Sequence, residues 1–171
     1  MHEHPLSLAD RPTGPRFAGW GVRIAVGCDH AGYALKSELT DWLADGGHDI
    51  SDLGTYDTAR VDYPDYGAAV GRAVVKGDAE LGVCVCGSGT GIAMAANKIN
   101  GVRAAVAHDV TSAMLARRHN DANVVCLGER LIGVEVAKAA VEAFLGTAFE
   151  GGRHATRIAK ITQLEQEEEQ P

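Results

Sequence analysis

The residues best able to do chemistry in this chain stand together between Val83 and Lys98. Cys86 is followed at once by Gly87, Ser88, Gly89, Thr90 and Gly91, three glycines in five residues. Such a loop lets the backbone approach a ligand closely, and its N–H groups form a cradle for an oxyanion or a phosphate. Cys86 sits at the mouth of that cradle, where the positive end of a following helix stabilises a thiolate. A thiolate beside oxyanion donors is equipped for acid–base or nucleophilic work. The competing reading is a cysteine that merely fills a strand end as a small hydrophobe. The glycine spacing is not the dinucleotide fingerprint, because Ile92 occupies its sixth position, and no Gly-Lys-Ser/Thr follows to make a P-loop. Asp109 keeps a nucleotide reading open, since it follows the apolar run Val102 to Ala107 where a ribose-binding acid would stand.

Hydrophobic patterning supplies the elements that must position these groups. Leu81 to Val85 is a short apolar run that reads as a strand, and the Ala-rich segment after the glycines reads as a helix. Upstream, Arg23 to Gly27 predicts a strand, and Leu35, Leu39, Trp42 and Leu43 share one helical face that ends at Gly46 and Gly47. A second strand is predicted over 49–53, a long polar loop over 54–66, and a helix over 67–76. Further strands are predicted over 102–107 and 123–127, with helices over 110–118, 133–145 and about 154–166. Strands alternating with helices imply right-handed crossovers and a five-stranded parallel sheet covered on both faces, a doubly wound, Rossmann-like α/β sandwich. Ligands of such folds bind beyond the carboxyl ends of the strands. That rule collects Asp29 and His30 after the first strand, Cys86 and its glycines after the third, His108 after the fourth and Arg130 after the fifth.

Composition narrows the class further. The 171 residues suit one domain, expected over 22–163, with a loosely attached extension over 1–21 and an acidic tail over 164–171. The net charge of −7 argues against general nucleic-acid binding. Cys28, Cys84, Cys86 and Cys126 each lie in or beside an apolar run, as reduced thiols of a cytoplasmic protein do. Cys84 and Cys86 have no second Cys/His pair at zinc-ligand spacing, so no metal site is expected. No run approaches the ~20 apolar residues of a membrane span, and no signal-peptide core opens the chain.

Two polar groups fall outside the strand-end loops. His119, Asn120 and Asp121 end a predicted helix, where a C-cap reading competes with a catalytic one. Arg153 and Arg157, four apart after Gly151 and Gly152, share a helix face and can form either a solvated surface or a phosphate clamp.

Five motifs in this order resemble the B type of ribose-5-phosphate isomerase: residues 27–33, Asp62-Tyr63-Pro64, residues 86–98, residues 118–123 and residues 151–154. The resemblance runs from about Arg23 to Gln163. It implies aldose–ketose isomerisation of a phosphorylated sugar through a cis-enediolate, without metal or cofactor, as ribose 5-phosphate is converted to ribulose 5-phosphate in the pentose phosphate pathway. By the same resemblance Cys86 is the base, with Gly87, Gly89, Thr90 and Gly91 and the Ser88 hydroxyl at the enediolate oxygens. His119 is the acid that opens the furanose ring, and Asn120, Asp29 and His30 contact the sugar. Arg130, Arg153 and Arg157 supply cationic contacts, chiefly to the phosphate. One branch of the family places a glutamate base where this chain has Ile92, so the chain falls in the cysteine branch. The family also implies a homodimer, or a dimer of dimers, with the site at the interface. Isomerases of allose, galactose or tetrose phosphates share the chemistry and remain open as alternatives, as does a nucleotide-binding module.

Overall fold

The computed structural model describes residues 21–168, so the extension expected over 1–21 lies, but for Gly21, outside the described residues. Five strands, β1 (Arg23–Cys28), β2 (Asp49–Asp52), β3 (Leu81–Cys86), β4 (Ala104–Val106) and β5 (Val124–Gly128), form one sheet in the order β2-β1-β3-β5-β4. Every pairing is parallel. Six helices accompany it: α1 (Tyr33–Asp45), α2 (Tyr63–Lys76), α3 (Thr90–Ala96), α4 (Val110–Asn120), α5 (Val134–Gly146) and α6 (Arg153–Glu168).

Strand alternation divides the core into two layers. Ile24, Val26, Val83, Val85, Val125 and Leu127 meet Leu35, Leu39 and Leu43 of α1 and Phe144 of α5 on one face. Ala25, Cys84, Cys86, Val124 and Cys126 meet Val70 of α2 and Ile92, Ala93 and Ala96 of α3 on the other. Strands buried on both faces explain why β3 and β5 read as unbroken apolar runs rather than as alternating ones. The chain leaves β1 toward β2 on one side and later returns to β3 on the other. Their diverging carboxyl ends make the topological switch point, the crevice where open α/β sheets take ligands.

Three boundaries differ from expectation for identifiable reasons. Helix α2 begins at Tyr63, inside the segment read as loop, because Pro64 stands in its first turn, where a missing N–H costs nothing. Helix α4 runs on through His119 and Asn120, and the residue that turns the chain is Asp121, at φ 43. Helix α6 reaches Glu168, so the segment read as an acidic tail begins inside it, and the Glu165 carboxylate accepts the Gly101 N–H at 3.1 Å.

Candidate functional site

At the carboxyl edge of the sheet, Cys86 ends β3 and its Sγ accepts the N–H of Gly89 at 3.1 Å. The bond exists because Gly89 takes φ 77, a left-handed turn that bends the loop back over the sulfur. Cys86 is 4% exposed, buried on its inner side by Cys84 and Ile92, with the glycine loop above it. The turn after β5 buttresses this loop from the side: Glu129 N–H donates to Cys86 O at 2.9 Å and Arg130 N–H to Gly87 O at 3.1 Å. The Arg130 guanidinium lies against Gly87, so close that a Cβ there would stand 3.3 Å from its Cζ. Ser88 and Thr90 are exposed at the loop's rim, where the Thr90 N–H reaches Ser88 Oγ at 3.3 Å.

The end of β1 supplies the opposite wall of the crevice. Asp29, 6% exposed, accepts the Ala31 N–H at 2.9 Å and so fixes the turn that carries His30. His30 Nδ1 in turn faces the backbone of Val61, 3.1 Å from its oxygen and 3.3 Å from its nitrogen. Val61 introduces α2, whose first residue, Tyr63, lays its ring over Gly91: a Cβ on Gly91 would come within 2.7 Å of the ring. In the sequence Tyr63 stands only as the middle of Asp62-Tyr63-Pro64. Its place in the site depends on a contact between segments far apart in sequence, which no local pattern announces.

The second group of expected site residues lies elsewhere. Asn120 and Asp121 are held by Arg103, just before β4, and Asn123, just before β5, accepts the Arg103 N–H. His119 and Asn120 therefore lie at the amino ends of the strands, whereas Cys86 lies at the carboxyl ends. Across the five residues of β5 the two edges are roughly 15 Å apart. One chain does not bring His119 to Cys86.

Around His119 the α5–α6 connection assembles a cluster of its own. The His119 and His154 rings stack with centroids 4.3 Å apart and planes 9° from parallel. Glu150 Oε2 lies 3.8 Å from His119 Nε2, and Arg153 Nε donates to His154 Nε2 at 3.3 Å. Burial, then the neighbouring His119 and Arg153, hold His154 below the ordinary imidazole range, which keeps it neutral and able to accept. Arg157 follows Arg153 by one helical turn. The nitrogens of both imidazoles and the Glu150 carboxylate lie within 4.8 Å of one another, a set that suits a divalent ion by type. Two guanidiniums beside it suit a phosphate instead. An open cavity of about 550 Å³, lined by Arg118, Ala148, Phe149 and Glu150, adjoins the cluster. Glu150 and His154 are members that sequence reasoning gave no role.

Two expected residues are engaged otherwise. Asp109 caps α4, accepting from Ser112 N and Ser112 Oγ, bonds that hold its carboxyl below the usual range and give it a structural role. His108 Nε2 accepts the Gly128 N–H at 3.1 Å and so braces the end of β5.

The family model of the ribose/galactose isomerases matches residues 24–161, which span both clusters. This chain belongs to that family. It is 46% identical to ribose-5-phosphate isomerase B of Escherichia coli over 144 residues, 84% of this chain and 97% of that protein. The Clostridium thermocellum ribose-5-phosphate isomerase B superposes with a TM-score of 0.84 at 46% identity, over 84% of this chain and 97% of its own. The Mycoplasma genitalium ribose-5-phosphate isomerase B, solved with bound ribulose-5-phosphate, superposes with a TM-score of 0.80 at 41% identity, over 84% and 96%. The isomerase fold expected from the sequence is thus the fold found, and the protein is a sugar-phosphate isomerase. Among the described residues no helix is long and apolar enough to cross a membrane.

Proposed function

We propose that this enzyme interconverts D-ribose 5-phosphate and D-ribulose 5-phosphate in the cytoplasm, with each site built from two copies of the chain. The observation that carries this reading is the Cys86 sulfur held under the Gly89 N–H at the mouth of the glycine loop. In the proposed reaction His119 of one copy protonates the furanose ring oxygen as its bond to C1 breaks and the O1 proton passes to solvent water, giving the open aldehyde. The Cys86 thiolate of the other copy removes the C2 proton, and the electron pair moves through C1 onto O1. Backbone N–H groups between Gly87 and Gly91 hold the resulting cis-enediolate, a stabilisation worth several kcal/mol in preorganised sites. The same sulfur returns the proton to C1 while the O2 proton passes to O1, so that C2 becomes the ketone and C1 carries the hydroxyl. Arg153 and Arg157 clamp the phosphate, and Arg130, lying over Gly87, adds positive charge beside the enediolate. Asp29, His30 and Asn120 orient the sugar hydroxyls.

The test is turnover on ribose, allose, galactose and erythrose phosphates with a metal chelator present, repeated with Cys86→Ala. Ribose 5-phosphate is expected to give the highest kcat/KM. Cys86→Ala is expected to lose at least a thousandfold in kcat while still binding the sugar phosphate, the order expected when a proton-transfer group is removed. Another sugar in first place moves the substrate but keeps the chemistry. Near-normal turnover by Cys86→Ala removes the base assignment.

A further inference from the structure

Asp121 is the one non-glycine residue with positive φ among the described residues. Glycine or asparagine is the usual occupant of such a helix-ending position, so its carboxylate calls for a reason. That carboxylate is 3% exposed and sits between two guanidiniums: Oδ1 accepts from Arg117 Nη1 at 2.8 Å and Oδ2 from Arg103 Nη2 at 3.0 Å. Arg103 does more than pair with it. Its Nε donates to the carbonyl oxygens of Asn120, at 3.1 Å, and of Asp121, at 3.0 Å, two of the acceptors that a helix end leaves without intrahelical partners. Arg117 Nη1 likewise donates to Ala122 O at 2.6 Å, with its guanidinium over the Phe144 ring at 5.6 Å. The last turn of α4, which carries His119 and Asn120, is therefore fastened to β4 and to the core by one carboxylate and two arginines.

We infer that Arg103 and Asp121 are positioning residues for ring opening: they fix the turn that presents His119 and Asn120 to the sugar, without touching the sugar themselves. The inference rests on the functional reading above. A catalytic group must be held within about 0.5 Å of its productive place, and His119, half-exposed at a helix end, meets Glu150 and the His154 ring on its side-chain side. Arg103 adds a constraint from the backbone side. It does not reach the carboxyl-edge half-site, so its removal loosens ring opening and leaves proton transfer at Cys86 in place.

Two reactions of the full-length protein separate these steps. Conversion of ribose 5-phosphate begins from a closed furanose. Ribulose 5-phosphate cannot close a furanose, because its O5 carries the phosphate, so exchange of its C1 hydrogen with solvent deuterium reports the Cys86 step alone. Arg103→Met is expected to lose roughly tenfold to a hundredfold in kcat on ribose 5-phosphate, the scale of a misplaced group, while deuterium exchange stays within about threefold of wild type. Asp121→Asn keeps a residue that tolerates the left-handed turn and is expected to show the same split to a smaller degree. It serves as the informative variant if Arg103→Met does not fold. Parallel loss in both assays, or loss in neither, overturns the inference. His119→Gln is the control for the reading beneath it: an equal loss in both assays there removes the ring-opening role of His119 itself.

Discussion

The four cysteines show how one residue type divides by environment. Cys28 is fully buried after Val26, and burial pushes its thiol up to about 12 even though Lys36 pulls the other way. Cys126 is raised well above the ordinary value by its bond with Cys84 across the β3–β5 pairing and by burial. Only Cys86 ends its strand under a donating N–H. A thiol whose folded value exceeds its unfolded one retains its proton longer in the native state, so its contribution to stability is complete below the unfolded value and is lost as pH climbs beyond it. For Cys28 the window opens near the ordinary thiol value of ~8.5 and closes near 12. Urea midpoints of wild type and Cys28→Ala at pH 8 and pH 10 check this. Wild type is expected to lose on the order of 1–2 kcal/mol more than the variant across that interval. An equal loss in both proteins would show that Cys28 does not carry the alkaline sensitivity.

At the scale of elements, the strands and the loops after them were legible because a parallel sheet needs apolar runs and places its functional loops at one edge. Asp29, His30, Cys86 and Arg130 fell into place on that rule. The start of α2 was not legible in the same way, because Asp62, Tyr63 and Pro64 suit a turn as well as a helix start. Nor could spacing reveal that the α5–α6 connection folds His154 against His119, since that contact depends on where α5 ends relative to α4. The glycine loop gives this scale its test. A Cβ on Gly89 would stand 2.9 Å from the Leu127 carbonyl carbon at a φ of +77, so both backbone and neighbour resist it. Gly91 instead meets the tip of the half-exposed Tyr63 ring, which can swing aside. Gly89→Ala is expected to cost about 1–3 kcal/mol of stability and to take the N–H off Cys86 Sγ, abolishing turnover. Gly91→Ala is expected to melt within a few degrees of wild type and to raise KM as the ring is displaced. Thermal melts and steady-state kinetics on the pair decide it, and equal behaviour of the two variants contradicts the assigned loop geometry.

The whole molecule presents two incomplete sets of groups at opposite edges of one sheet. In the proposed reaction, proton abstraction belongs to the carboxyl edge, and ring opening with phosphate binding to the amino edge. A rigid sheet of parallel strands cannot fold one edge onto the other, so the proposed reaction needs a second copy to close the distance of roughly 15 Å along β5. In the proposed dimer, symmetric pairing, the commonest form of association, would bring the amino edge of each copy to the carboxyl edge of its partner and make two equal sites at once. Exposed Val106 on the edge strand β4 and exposed Val110 at the start of α4 leave apolar surface on that side for such a contact. Mixed assemblies test the arrangement. Cys86→Ala and His119→Ala are each expected to be nearly inactive alone. Co-expressed, a mixed dimer holds one site with both substitutions and one with neither, so random pairing should restore about a quarter of wild-type activity per site. If Cys86 and His119 served the same chain, every site would lack one of them and co-expression would restore nothing.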